Sequence, residues 1–324
     1  MWGHSRPVGL LLGCVLDLAV ADPHRYHPVA GFGTVAARLE RLTYRDSRLA
    51  GALHTGLLVG ALSGAAASAA RAMGRAGPAS AVVVAAAVWV SLGGTSLART
   101  GHQMADLLDA ADVSGARTLL PSLCGRDPAY LDVDGLARAA LESVAENTSD
   151  AQVAPVVWAA VGGAPAVLAY RAINTLDAMI GHRSPRYTRF GWAAARLDDA
   201  ANFVGARLAG ALVVVAAPAV GGSPVAAARA WIRDAHRHPS PNAGVVEAAF
   251  AGALGVRLGG PTQYRHELQM RPTLGDGRIP CAADLRRAVR LSQVVQAGAV
   301  AVGVLLAAAL SGGGRTGRRV SARR

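Results

Sequence analysis

LAGALHTGLLVGALSGAAASAA (residues 49–70) and ASAVVVAAAVWVSLGGTSLA (residues 79–98) decide how this chain folds. Neither run contains Asp, Glu, Lys or Arg. A helix needs about 20 predominantly apolar residues to cross the hydrocarbon core of a bilayer, and both runs reach that length. Three more follow, at 153–169 (interrupted by Gly-Gly-Ala-Pro), 203–220 and 294–310. Their Ala and Gly content suits helices that pack closely in lipid. The number of such runs favours a membrane protein over a soluble helical bundle. The expected fold class is therefore all-α: a polytopic integral membrane protein with polar helical and loop segments between its spans.

The first stretch, GLLLGCVLDLAVA (9–21), ends in the small-x-small pattern of a signal peptide. Asp17 lies inside its apolar part and favours a short first membrane segment instead. Arginines gather at 38–48, at 182–207 and in the tail RTGRRVSARR (315–324). Placing all of these in the cytoplasm requires one interrupted run, 153–169 or 203–232, to be re-entrant. The expected organisation is one membrane-embedded catalytic domain over 1–310 and a disordered basic tail over 311–324.

The 324-residue chain carries a formal net charge of +12, and all of its basic residues other than histidine are arginine. Without lysine, a Schiff base to pyridoxal phosphate is excluded, and a Walker A loop lacks its lysine. Nucleic-acid binding would need a basic face interleaved with aromatics. Here the arginines are scattered between apolar runs, which favours a membrane surface and anionic substrates over nucleic acid. Cys14, Cys124 and Cys281 are odd in number and form no CxxC pair, so no disulfide framework or zinc site follows.

Chemistry is concentrated in the polar stretches. In ESVAENTSD (142–150), Glu142 and Glu146 share a helical face, with Asn147, Ser149 and Asp150 directly after them. Like charges four residues apart repel, so an oily protein has reason to place them there only if a cation joins them. In YRAINTLDAMIGHRSPRY (170–187), Arg171, Asn174 and Asp177 recur at i, i+3 and i+6 as a polar stripe on an otherwise apolar helix. Such a stripe marks a functional site by default; a structural Arg–Asp bridge is the plainer alternative. RFGWAAARLDDAANF (189–203) offers Asp198 and Asp199, with Asn202 on the face of Asp198. Paired carboxylates and an amide suit Mg²⁺, which keeps waters and accepts phosphate oxygens. HPSPNAGVVEAAF (238–250) reads as a turn around Ser240 and Asn242 followed by a helix bearing Glu247, whose first N–H groups are free to meet an anion.

Taken together, DPHRYHPVAGFG, ESVAENTSDAQVAP, GGAPAVLAYRAINTLDAMIGHRSPRY, FGWAAARLDDAANFVGARL, SPNAGVVEAAFAGALGVRLGGP and LGDG resemble, in order, the blocks of the CobD/CbiB family of cobalamin biosynthesis. The likeness covers most of residues 14–280. It implies an adenosylcobinamide-phosphate synthase, a multi-pass enzyme of the cell membrane. Such an enzyme joins adenosylcobyric acid to (R)-1-aminopropan-2-ol or its O-phosphate through an amide, with ATP and Mg²⁺ expected.

A free carboxylate and an ammonium do not condense efficiently in water. The acid must be activated, most simply as an acyl phosphate, and the amine must lose a proton. On that chemistry, catalytic work is expected of Glu142, Glu146, Asp177 and Asp198. Mg²⁺ is expected at Glu146, Asp150, Asp198 and Asp199. Substrate contacts are expected from Asn147, Arg171, Asn174, Arg183, Arg186, Arg196, Asn202, Ser240, Asn242 and Glu247, the arginines because guanidinium meets phosphate and carboxylate bidentately. No nucleotide-binding loop is visible. A polytopic transporter and a membrane scaffold for corrinoid-pathway enzymes are the alternatives.

Overall fold

The computed structural model describes residues 5–23, 27–74, 77–182, 184–263 and 268–312. They form thirteen α-helices and one β-hairpin, so the all-α expectation holds. In order these are α1 (Ser5–Val20), α2 (Pro28–Thr43), α3 (Arg48–Ala72), α4 (Pro78–Ser91), α5 (Gly94–Asp109), α6 (Val113–Leu119), α7 (Val133–Thr148) and α8 (Ala154–Leu176). There follow α9 (Tyr187–Phe190), α10 (Trp192–Ala216), α11 (Pro224–Asp234), α12 (Ala243–Leu254), β1 (Leu258–Gln263), β2 (Leu268–Leu274) and α13 (Ala282–Gly312). Two π-helical turns, Ser149–Val153 and Asp177–Gly181, flank α8.

Among the described residues, five helical stretches are long and apolar enough to cross a membrane: Arg48–Ala72, Pro78–Asp109, Val133–Gly181, Trp192–Val220 and Ala282–Ser311. They contain the five apolar runs. α12, at 12 residues, is too short to span. The run 79–98 is broken between α4 and α5, where Leu92 leaves helical geometry. The Gly-Gly-Ala-Pro interruption lies within α8 as a kink: Gly163 has φ 64° and Pro165 follows, so that helix loses a backbone hydrogen bond where the proline enters.

The chain forms two compact units. The first comprises Met1–Gly93, Ala154–Ala201 and Val300–Arg324. Its core joins Leu10, Val84, Val88, Leu92, Val156 and Val167. α1 and α4 meet through a Gly-x-x-x-Gly pair: a Cβ on Gly9 would lie 2.6 Å from the Ala81 carbonyl oxygen, and one on Gly13 2.6 Å from Val88 Cβ. Only glycine permits that approach, which is how helices gain packing contact without help from water. A second cluster centres on Phe190, Leu176 and Ile180.

The second unit comprises Gly94–Val153 and Asn202–Ala299. Its helix starts are fixed locally: Asp132 accepts the Gly135 N–H at 2.8 Å to begin α7, and Ser223 accepts the Ala226 N–H at 3.2 Å to begin α11, with Pro224 next in line. These are N-cap bonds to groups that a helix leaves without partners. β1 and β2 pair antiparallel with a bulge between Leu258 and Gly260. Gly259 has φ 80°, and a Cβ there would lie 2.0 Å from the Pro272 carbonyl oxygen, so the bulge requires glycine.

Candidate active site

α7 carries the acids of ESVAENTSD. Glu142 is buried and Glu146 follows one turn later on the same face. A cation of the protein itself stands beside them: Arg126, from the loop before α7, whose guanidinium bonds Glu142 Oε2. The other Glu142 oxygen accepts the Gly259 N–H at 2.6 Å. The β-bulge thus brings a backbone donor to a carboxylate 117 residues away in sequence. Water reaches Glu146, although Arg271, Arg126 and Glu142 all act on its carboxylate. A side chain both wetted and hemmed in by protein charges lines a crevice.

α12 brings Glu247 to the same group. It is 1% exposed, and its Oε1 accepts no hydrogen bond. Burial, then the nearby Glu142 and Glu146 carboxylates, push its pKa well up, against the opposing pull of Arg271 and Arg126. His238 completes the ring. Its Nε2 lies 3.4 Å from Arg271 Nη1 and 3.8 Å from Glu247 Oε1. Its Nδ1 sits 3.0 Å from the Ser240 amide nitrogen and 3.1 Å from the Ser240 carbonyl oxygen. Burial and the Arg271 charge push the His238 pKa down to about 4, so the imidazole is neutral near pH 7. Burial works against the charge on Arg126, but Glu142 outweighs it and the pKa rises. The assembly is three carboxylates, two guanidiniums and a neutral imidazole in one crevice, a setting that holds, moves and orients protons. Sequence reading named the three acids and missed Arg126, Arg271 and His238.

The other candidates fall elsewhere. Asn147 Nδ2 donates back to the Ser143 carbonyl at 2.9 Å. Asp150 begins the turn into the π-helical Ser149–Val153 and is half-buried. The polar stripe is real and lies in the first unit: Arg171 Nη1 donates to Asn174 Oδ1 at 3.4 Å, and Asn174 Nδ2 donates to Asp198 Oδ1 at 3.3 Å, tying α8 to α10. Arg171 also lines an otherwise apolar cavity of about 500 Å³, with Thr175. Asp177 opens the second π-helical turn; such turns recur at functional sites. Asp199 sits 3.6 Å from Arg196. Arg183 lies outside the described residues.

Several residues expected to meet substrate are engaged in the fold. Arg186 donates Nε at 3.2 Å and Nη2 at 2.9 Å to Glu40 Oε1, and its guanidinium stacks 4.0 Å from the Tyr44 ring. Ser240 Oγ accepts the N–H groups of Asn242 (3.3 Å) and Ala243 (3.2 Å). It thereby takes donors at the start of α12 that the sequence left open for an anion. Asn242 Oδ1 accepts Arg207 Nη1 at 2.5 Å, and Asn202 is buried.

Among the described residues no three His, Cys, Asp or Glu side chains converge as a metal cage requires. Glu146 stands with Glu142 and Glu247 in the second unit, whereas Asp198 and Asp199 belong to the first.

A profile of the CobD/CbiB proteins matches residues 10–292. The chain belongs to the CobD/CbiB family. It is 68% identical over 302 residues to the cobalamin biosynthesis protein CobD of Mycobacterium tuberculosis, covering 93% of this chain and 96% of that one. It is 43% identical over 308 residues to the protein of the same name from Geobacter metallireducens, with the same two coverages, 93% and 96%. To that of Rhodobacter capsulatus it is 41% identical over 292 residues, covering 87% and 91%. No solved structure matches it. As a CobD/CbiB protein the chain has a role in cobalamin biosynthesis, and its long apolar helices are those of a membrane protein.

Proposed function

We propose that this CobD/CbiB protein is an acid–amine ligase of the cell membrane. It would join adenosylcobyric acid to (R)-1-aminopropan-2-ol or its O-phosphate, with ATP consumed to activate the carboxylate. The single observation that carries this reading is the crevice of Glu142, Glu146 and Glu247 with Arg126, Arg271 and His238, in a chain of this family. Amide formation from an ammonium releases protons, and carboxylates and a neutral imidazole held near one another are groups that accept and pass them on. Water-poor surroundings strengthen each of these interactions. A scaffold has no need of three acids gathered against two arginines.

Mg²⁺ and ATP belong to this proposal on chemical grounds. A metal held by protein alone does not fit the described residues. A Mg²⁺ that arrives on phosphate oxygens needs only one or two carboxylates, and Asp198 with Asp199, adjacent on α10, offers such a pair. When bound there it would neutralise phosphate charge. The Asn174 amide fixes the Asp198 carboxylate at 3.3 Å.

The test is turnover followed by mass spectrometry. Detergent-purified protein is given adenosylcobyric acid, aminopropanol O-phosphate or free aminopropanol, ATP and Mg²⁺, with each left out in turn. The expected product is heavier than the corrinoid by the amine minus water, and it disappears when ATP is omitted. No product with either amine, from folded protein, would favour the scaffold or the transporter.

A further inference from the structure

Were all three acids of the crevice ionised, their charges would outnumber those of Arg126 and Arg271. Arg126 is committed to Glu142, whose second oxygen is filled by the Gly259 N–H at 2.6 Å. Among the described residues, Arg271 is then the guanidinium besides Arg126 that acts on Glu146 and Glu247, and the neighbouring His238 is neutral. Glu247 Oε1 is left without a donor inside the protein. An unpartnered buried carboxyl oxygen is costly, and Glu247 keeps its proton as long as no cation stands against that oxygen.

A group that fills the Glu247 oxygen and lets this acid ionise is a cation that offers N–H donors. A primary ammonium has one charge and three donors. A second arginine-like group would need a wide planar slot, and a caged metal lacks its three ligands among the described residues.

We propose that Glu247 Oε1, with Glu146 at the open side, is the ammonium subsite for the amine substrate. This rests on the amide-forming reading above. The ammonium enters along Glu146 and donates to Glu247, which releases its proton to solvent and pairs with the cation as a carboxylate. Neutral analogues form no ion pair with Glu247 and forfeit the binding that an ammonium gains there.

The experiment measures binding of aminopropanol and its O-phosphate by calorimetry to the detergent-solubilised full chain, with propane-1,2-diol and Mg²⁺ alone as separate titrants. The amines bind and the diol does not. Glu247→Gln weakens amine binding by about 100-fold, as expected for loss of one partner of a buried charge pair. In turnover it raises KM for the amine by a similar factor and leaves KM for ATP and for the corrinoid within about 3-fold. Should Glu247→Gln not fold, Glu146→Gln gives the same reading from the open side. Unchanged amine affinity in either folded variant overturns the proposal, as does Glu247-dependent binding of Mg²⁺ without any of amine. Amine binding that depends on Glu247 in a protein that forms no amide would instead break the reaction reading and leave the subsite standing.

Discussion

Buried acids occur in two kinds of setting in the second unit, and they are built on opposite plans. Asp284 is fully buried, and both its oxygens are taken: Arg278 donates at 2.6 and 2.8 Å, Arg287 at 3.1 Å and the Cys281 N–H at 3.0 Å. Asp234 is the same kind of staple, holding Arg233 at 2.9 and 2.7 Å and the Gly275 N–H of the LGDG loop at 2.8 Å. Glu247 is equally buried, yet one oxygen has no donor and two other carboxylates stand close. A paired acid fastens a loop to a helix. A surplus acid destabilises the fold it sits in, and that cost is expected where a ligand completes the set.

This contrast can be broken most sharply at Arg126. Arg126→Ala leaves Glu142 charged, buried and short of its cation, and should cost about 3–5 kcal/mol, read as a fall in thermal midpoint in detergent and loss of turnover together. Asp284→Asn is next. It removes a carboxylate from two arginines, of which Arg278 is largely exposed and regains water, so about 2 kcal/mol is expected. Turnover per folded molecule should be unchanged, and a large drop would move Asp284 into the working machinery.

The pH dependence separates the two kinds by sign. The Arg233 hydrogen bonds, with the Gly275 N–H, hold Asp234 below its ordinary value of 3.8 against the effect of burial. Its stabilisation is full above that value and is lost as pH falls through the lower folded value. Glu247 is displaced upward from 4.5. Above pH 4.5 the unfolded chain gives up that proton while the folded chain keeps it, so stability falls as pH rises. Glu247→Gln should therefore gain stability relative to the parent between about pH 5 and 7, whereas Asp234→Asn should sit below the parent by a constant amount over that interval, the gap closing only as pH falls below 3.8. Parallel melts across pH check both slopes. The smallest effect is expected at Arg186→Lys. It loses the paired contacts to Glu40 and the stacking on Tyr44, lowering the melting midpoint slightly with turnover retained.

The membrane architecture is legible in the sequence because it depends on length and composition, which local runs such as 49–70 and 79–98 display directly. Glu142 and Glu146 are legible too, since helical periodicity puts them on one face. Their partners are not. Arg126 lies in a loop with no periodicity, and Arg271 sits in the stretch before LGDG that reads as an ordinary turn. His238 precedes a proline in a segment whose plain reading is a helix start. Each reaches the crevice through tertiary packing: Gly259 meets Glu142 across 117 residues, and no local pattern encodes that meeting. The HPSPN turn shows the converse. Free N–H groups at the head of α12 are a sound expectation from local rules, and Ser240 Oγ overrides it by accepting two of them.

The most direct test sets Glu247→Gln beside Asp234→Asn in one turnover assay, with each rate divided by the fraction folded. If the surplus acid belongs to the working centre, Glu247→Gln melts at or above the parent temperature and, at amine concentrations well below the parent KM, loses about 100-fold in rate. Asp234→Asn melts lower and keeps its rate per folded molecule. The reverse pattern, a slow but folded Asp234→Asn and a fully active Glu247→Gln, would contradict the account.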